Sequence, residues 1–268
     1  MRKWEAEANA KGAIVIVHGA MEHQGRYGWL AEMWRSNGFH VIMGDLPGQG
    51  VTTRTKRGHI DSFDDYIREV KDWVKEAMEY GLPVFMLGHS MGGLISIRLL
   101  QEEKLDIAGV LLSSPCLGLM EYPPVALNAL SVGLNIFAPE LRIKSGLKVD
   151  LVTRNQEAIE RAMNDSLYVT KVSVRWYREL LKAMKAAFTK LSDFPDVPVL
   201  VLQGGDDKIV NKSEVRDWFD RLPVSEKGYK EWPECYHEIF NEPERDMIFT
   251  YAKNMAENRL GMLQAMLR

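Results

Sequence analysis

Pro83-Val84-Phe85-Met86-Leu87-Gly88-His89-Ser90-Met91-Gly92 is the stretch whose reading decides the fold. Its first half is a continuous apolar run, as expected of a strand buried on both faces. Its second half is a G-x-S-x-G motif. An amphipathic stretch with Leu94, Ile95, Ile97 and Leu99 follows, and the charged Glu102-Glu103-Lys104 ends it. Strand, motif, helix is the context in which G-x-S-x-G forms a nucleophile elbow. The reason is steric. A serine on a sharp, strained turn brings strand and helix backbones close together. Side chains at 88 and 92 would collide there, and glycine removes them. The turn lifts the Ser90 hydroxyl above the sheet and aims the helix N-terminus at a reacting carbonyl.

Outward from this elbow, short apolar runs alternate with helical periods. Residues 13–18, 39–45, 107–113 and 197–203 read as further buried strands. The clearest helix begins after Ser62, a plausible N-cap, and puts Phe63, Tyr66, Ile67, Val70, Val74, Ala77 and Met78 on one face before Gly81. The last helix is expected to start near Asn241-Glu242-Pro243-Glu244, since asparagine suits an N-cap and proline a first turn. Strands alternating with helices predict an α/β protein with a mostly parallel sheet flanked by helices on both faces. From 117 to 192 the rhythm stops. Helical periods appear around 125–137, 156–164 and 174–189, with no convincing strand. The expected organisation is a core of residues 1–116 and 193–268, with a helical lid at 117–192. Such a lid would sit over the C-terminal sheet edge, where open parallel sheets bind ligands.

A serine hydroxyl is a weak nucleophile until a base takes its proton, and that base must be held by a carboxylate. In this arrangement the chain order is serine, acid, histidine. Of the six histidines, at 18, 23, 40, 59, 89 and 237, only His237 follows far enough after Ser90. It stands in Pro233-Glu234-Cys235-Tyr236-His237-Glu238, between the strand-like run 228–232 and the last helix. The acid should follow the strand 197–203, where Gly204-Gly205-Asp206-Asp207 offers two candidates. Asp207 is the choice. Asp206 is kept as the alternative, with a turn-forming role suiting it better. The oxyanion of a tetrahedral intermediate needs two N–H donors, assigned to Met91, after the nucleophile, and Ala20, in the loop His18-Gly19-Ala20 after the first core strand. His18 itself reads as structural.

The 268 residues are 46% hydrophobic and 26% charged, as in an ordinary globular protein. A net charge of -3 gives no reason to expect nucleic acid as a partner. Two distant cysteines, Cys116 and Cys235, show no metal-ligand spacing and suit a reducing cytoplasm better than a disulfide framework. No cofactor or metal is called for. The charged start, Met1-Arg2-Lys3-Trp4-Glu5, does not read as a signal peptide. The longest apolar stretch, 123–139, is interrupted by Asn128, Ser131 and Asn135 and is too short to span a bilayer. The segment 118–190 holds eleven Lys/Arg against seven Asp/Glu. A basic lid on an acidic body would suit anionic membrane surfaces or phosphate head groups, and so peripheral membrane contact through the lid. Solvated helix faces account for the same charges.

Several blocks together resemble the monoacylglycerol lipase and lysophospholipase family of serine α/β-hydrolases: residues 18–27 (HGAMEHQGRY), 45–50 (DLPGQG), 88–93 (GHSMGG), 153–155 (TRN), 164–167 (NDSL), 203–207 (QGGDD) and Tyr236-His237. The HGA-x-EH-x-GRY block is far more specific than GHSMGG. The resemblance implies an oxyanion hole at the HGA block and Met91, and a triad of Ser90, Asp207 and His237. It also places Glu22 and Arg26 near the polar head of the substrate. Met21 stands where the family usually has glycine, a change that would touch head-group fit. Val51-Thr52 replaces the common x-Ser. The N-terminus leaves room for about one strand before Ala13, so an edge strand is expected to be missing.

The expected function is hydrolysis of a single-acyl-chain lipid ester, monoacylglycerol or lysophospholipid. Pro123, Val125, Leu127, Leu130, Val132, Leu134, Ile136 and Phe137 would line an acyl channel or pack the lid onto the core. A general short-chain carboxylesterase, a carbon–carbon bond hydrolase using the same triad and a non-catalytic ligand-binding protein are the competing readings. The intact Ser, Asp and His argue against the last. Cys235 reads as a buried, inert thiol, though a bulky reagent there would displace the histidine loop and lower activity.

Overall fold

The computed structural model describes residues 1–7, 9–51 and 56–266, so Thr52 lies outside the described residues. The apolar runs form β2 (Gly12–Val17), β3 (Phe39–Met43), β4 (Val84–His89), β5 (Gly109–Ser113) and β8 (Val199–Gly204). One strand precedes them, β1 (Arg2–Trp4), and β9 (Lys227–Trp232) lies at the other edge. The seven-stranded sheet runs β1-β3-β2-β4-β5-β8-β9. Only β1 is antiparallel to its neighbour; every other pairing is parallel. This is the helix-flanked, mostly parallel sheet that the alternation predicts, and the α/β-hydrolase fold that the resemblance implies.

Side chains of the sheet divide by pleat. Ile14, Ile16, Phe85, Leu111 and Leu202 meet Leu30 and Trp34 of α1 (Gly28–Ser36) and Phe249 and Ala252 of α8 (Arg245–Met266). Val15, Val17, Met86, Val110 and Val201 face the opposite layer. That layer comprises α2 (Asp64–Met78), α3 (Met91–Glu102), α6 (Val174–Thr189) and α7 (Lys212–Arg221). In α2 the buried set Tyr66, Ile67, Val70, Trp73, Val74 and Ala77 follows the helical period. Burying an aliphatic side chain such as Val70 contributes about 1.5–3 kcal/mol. α3 is buried along nearly its whole circumference because it lies between the sheet and its neighbouring helices α2 and α6.

Two helix starts differ from the sequence reading. α2 begins one residue late: Phe63 takes the N-cap position, and Ser62 Oγ accepts from Asp64 N at 3.2 Å. α8 begins at Arg245 rather than near Asn241, because Asn241 closes a 3-10 turn (Ile239–Asn241) and its side chain bonds Glu238.

Between β5 and β8 the chain forms α4 (Val125–Phe137), α5 (Gln156–Met163) and α6. It also holds an antiparallel pair, β6 (Arg142–Lys144) with β7 (Lys171–Ser173). These strands correct the all-helical reading. Three residues are too few for a period of two to register in the sequence.

α4 corrects a second expectation. Val125, Leu127, Leu130, Val132, Ile136 and Phe137 neither pack onto the core nor line an enclosed channel; they face solvent, Val125 at 87% and Phe137 at 88% exposure. Polar groups hold the helix to α6 instead. Arg178 Nη1 donates to Asn128 Oδ1 at 2.9 Å, and Arg175 Nη2 to the Asn135 carbonyl at 3.0 Å. Asn128, Ser131 and Asn135 share one helical face, so the polar side is turned inward and the apolar side outward. No described helix is long and apolar enough to cross a membrane.

Candidate active site

The elbow forms as its sequence requires. β4 ends at His89, α3 starts at Met91, and Ser90 between them has φ +52° and ψ -118°. A side chain in that backbone region is strained. The strain is held by three backbone bonds: Ser90 N to Ser113 O (2.9 Å), Cys116 N to Ser90 O (2.9 Å) and Leu94 N to Ser90 O (3.1 Å). A Cβ on Gly92 would fall 2.0 Å from the Val17 carbonyl oxygen, and one on Gly88 2.5 Å from that of Gly92. The two glycines are therefore fixed by contact between backbones.

Asp207 follows β8 and is buried. Its Oδ1 accepts from Ile209 N (2.8 Å) and Val210 N (2.9 Å), and its Oδ2 from Gln203 Nε2 (3.0 Å). The same Oδ2 lies 2.8 Å from His237 Nδ1. Burial would raise this carboxyl, but the His237 charge and hydrogen bond, with the two amides, hold it below the usual carboxylate range. Asp206 is exposed and pairs with Lys208 instead. Of the two candidates, the structure brings only Asp207 to the histidine. Gly204 makes the approach feasible, since a Cβ there would sit 2.0 Å from the Tyr236 carbonyl oxygen.

His237 is buried. Burial pulls its imidazole down, yet the Asp207 charge and hydrogen bond outweigh that and keep it above its ordinary value. Its ring centroid lies 4.8 Å from that of His89, the residue before Ser90. Among the described residues no hydrogen bond joins Ser90 Oγ to His237, and such bonds are often loose before substrate arrives. Burial, then the nearby His237 charge, lowers His89 to about 4, so it stays neutral.

The HGA loop leaves β2 on the near side of the elbow. His18 Nδ1 donates to the Gly19 carbonyl at 2.8 Å, while its Nε2 accepts from Leu46 N at 3.0 Å. Both ring nitrogens are thus occupied by backbone, in keeping with a structural role. Ala20 follows, and Met21 takes φ +68°. Glycine adopts that conformation without cost, so Met21 holds it under strain. Met91 opens α3, and its N–H is one of the four that no helix can satisfy internally.

Glu22 and Arg26, which the resemblance places near the substrate's polar head, lie beside each other and are both bound inside the protein. Glu22 Oε1 accepts from Gly19 N (2.5 Å) and Tyr27 Oη (2.7 Å), and Arg26 Nε is 3.4 Å from Glu22 Oε2. Arg26 Nη2 donates to both oxygens of Glu238, at 2.8 and 2.7 Å. Burial would raise Glu22, but Arg26 and then His89 hold it down. Burial raises Glu238, which shares that arginine. Glu22, Arg26, His89, Glu238 and Asn241 line a small, open cleft together with Trp29 and Phe240. The sequence reading passed over Glu238; its place directly after His237 was the available signal. Cys235 is buried, and its thiol is pushed up to about 12 by burial and by the carboxylates Glu244 and Glu242.

The family described as Serine aminopeptidase, S33 (Hydrolase_4) matches residues 8–244. The chain belongs to this family. Phospholipase YtpA of Bacillus subtilis (strain 168) is 54% identical over 254 residues, 94% of this chain and 97% of the relative. A monoacylglycerol lipase of Mycolicibacterium smegmatis is 27% identical over 248 residues, 91% of this chain and 88% of the relative. The crystal structure of Paleococcus ferrophilus monoacylglycerol lipase matches the fold with a TM-score of 0.85 at 31% identity, over 97% of each chain. These relatives bear out the resemblance carried by the HGA and GHSMGG blocks.

Proposed function

We propose that this family member, an ester hydrolase, cleaves single-acyl-chain lipid esters through an acyl-enzyme on Ser90. The observation that carries the reading is the buried Asp207–His237 hydrogen bond, 2.8 Å long, beside a serine on a strained elbow. Asp207 fixes the tautomer of His237 with its proton on Nδ1, leaving Nε2 to take the Ser90 proton. Ser90 Oγ then attacks the ester carbonyl, and Ala20 N and Met91 N stabilise the oxyanion. His237 returns the proton to the departing alkoxide, and water repeats the sequence in reverse on the acyl-enzyme. Glu22 and Arg26 would reach a head group only by giving up bonds to Gly19, Tyr27 and Glu238, or from the cleft they line. A phospholipase and monoacylglycerol lipases are the relatives that support this reading.

Residues 117–192 serve, on this reading, as a lid whose α4 meets the lipid surface. An apolar helix face turned to solvent, held from behind by asparagines and arginines, is suited to rest in a bilayer interface. Vesicle flotation should show binding that falls when Val125, Ile136 and Phe137 are replaced by serine, with hydrolysis of a soluble ester unchanged. Equal binding of wild type to neutral and anionic vesicles would remove the role of the basic lid charges but leave the apolar one.

The deciding experiment compares monoacylglycerols, lysophospholipids and p-nitrophenyl esters of graded chain length, with Ser90→Ala as control. Labelling of Ser90 by a fluorophosphonate and preference for a long single acyl chain support the reading. A preference for butyrate over palmitate would instead indicate a short-chain carboxylesterase. Absence of labelling would point to a non-catalytic ligand-binding protein.

A further inference from the structure

His237 sits in a loop with no regular structure of its own, between β9 and the 3-10 turn at Ile239–Asn241. One side of that loop is tied to the core, by Gly205 N to Trp232 O (2.8 Å) and Asp206 N to Cys235 O (3.0 Å). Its other side is tied to the inserted segment. Glu238 N donates to Val152 O at 2.7 Å, and Thr153 Oγ1 to Asn241 O at 3.3 Å. Arg154 completes this second attachment. Its backbone N–H reaches Glu242 Oε1 at 3.2 Å, and its Nε reaches Glu242 Oε2 at 2.9 Å. Its Nη2 donates to Glu244 Oε2 at 2.5 Å, and its Nη1 lies 3.6 Å from Glu234 Oε2. Glu242 has no exposed surface, and its Oε1 also accepts from Tyr236 N at 2.9 Å, one residue before the histidine.

An ion pair of this kind, buried at Glu242 and partly exposed at Arg154, is a poor device for stability, since the desolvated carboxylate offsets much of what the attraction gains. What it supplies is direction. A carboxylate bonded to Tyr236 N fixes the peptide that precedes His237, and the guanidinium holds that carboxylate's other oxygen through Nε while its Nη2 reaches Glu244. Lysine would keep the charge but not the fork.

We infer that Arg154 is a positioning residue for His237, registering the histidine loop against the inserted segment through Glu242. The inference rests on the reading of His237 as the base that activates Ser90. Arg154 touches neither substrate nor the reacting atoms, and its effect passes through the loop. Without the guanidinium, Glu242 keeps only two backbone donors, Arg154 N and Tyr236 N, both on Oε1; Oε2 loses its donor, the loop gains freedom, and the imidazole wanders from Asp207.

The test uses the full chain and p-nitrophenyl butyrate, a soluble ester that does not depend on a lipid surface. Arg154→Ala, Arg154→Lys and, as control, Arg161→Ala at the exposed pair with Glu157 are compared with wild type. For Arg154→Ala, kcat should fall about 10- to 100-fold, as for a misplacement of about 1 Å, with KM changed less than about twofold. The acid limb of kcat/KM should move to lower pH. The charged groups near the imidazole are Asp207, Glu238 and Glu22, with neutral His89 against its ring, and a looser loop weakens the Asp207 contact that raises it. Arg154→Lys should lie between, and guanidinium ion should partly restore Arg154→Ala. Folded Arg154 variants with wild-type kcat and an unmoved acid limb would overturn the inference. So would a loss matched in full by loss of folded protein on denaturation. If Arg154→Ala does not fold, Arg154→Lys is judged by the same two readouts. Normal fluorophosphonate labelling of wild-type Ser90 beside unaffected Arg154 variants would refute the clamp alone. No labelling of wild type would refute the underlying reading of the site.

Discussion

Replacing Gly92 by alanine tests the elbow where its geometry is tightest. The added Cβ would lie 2.0 Å from Val17 O and 2.6 Å from His18 O, both backbone atoms that cannot swing aside as a side chain could. Reaching ordinary contact requires the first turn of α3 to retreat from β2 by roughly 1 Å or more. Overpacking of this kind costs about 1–3 kcal/mol, with the upper end expected because only backbone can yield. A domain holds about 5–15 kcal/mol in total, so the protein should still fold. Activity should suffer far more, because Met91 N moves with the helix. Losing one oxyanion donor costs about 100- to 1,000-fold in kcat. Gly133, in the exposed α4, is the matched control: a Cβ there meets nothing within 4 Å. Gly133→Ala should gain up to about 1 kcal/mol from helix propensity and leave kcat alone. Guanidinium chloride denaturation and p-nitrophenyl butyrate kinetics measure both effects. A Gly92→Ala enzyme with wild-type midpoint and kcat would refute the close approach of β2 and α3 in solution.

Other outcomes follow from the same site. His237 must be neutral to accept a proton, and Asp207 keeps its imidazole above the ordinary 6.5; kcat/KM should therefore fall as pH drops through a value above 6.5. A limb below 6.5 in a pH–rate profile contradicts that balance. Asp207→Asn should lower kcat by about 10,000-fold, while Asp206→Asn should match wild type; equal losses in a kinetic comparison would undo the choice between them. Ser90→Gly should melt above Ser90→Ala, because glycine relieves the φ of +52°, worth about 1–3 kcal/mol or several degrees by calorimetry. Both cysteine thiols are pushed up to about 12, so a disulfide reagent at pH 8 should label neither until the protein is denatured. Fast labelling of native protein would show that the histidine loop opens.

The grouping of Asp207 with His237 near the Ser90 elbow was legible because steric and topological rules constrain it. Glycine at 88 and 92, one histidine downstream and an aspartate after β8 leave little freedom. Secondary structure was legible where runs were long, as in α2, α3 and α6. It failed where signals were short or borrowed. β6 and β7 are three residues each, and Asn241 serves a 3-10 turn that looks like a helix cap in sequence. Burial of charge was the least legible feature. Nothing local to Glu238 or Glu242 signals that they are buried; Arg26 and Arg154, 80 residues or more of chain away, are their partners in the interior. The outward apolar face of α4 was hidden for the opposite reason: an apolar helix ordinarily turns that face inward.

β5 and β8, between which the inserted residues leave and re-enter the sheet, are adjacent and hydrogen-bonded from Val110–Val199 to Ser113–Leu202. Because that pairing is parallel, the chain leaves at the C-terminal edge of the sheet and re-enters at the opposite edge, a crossover that α6 makes beside α3. Grafting another segment ahead of α6 would leave that crossover and the sheet register untouched, which makes the stretch between β5 and α6 the natural place for exchange. The graft would not be free of conditions. A foreign insertion would also have to bring a carbonyl for Glu238 N and a guanidinium for Glu242, or the histidine loop would lose its outer wall.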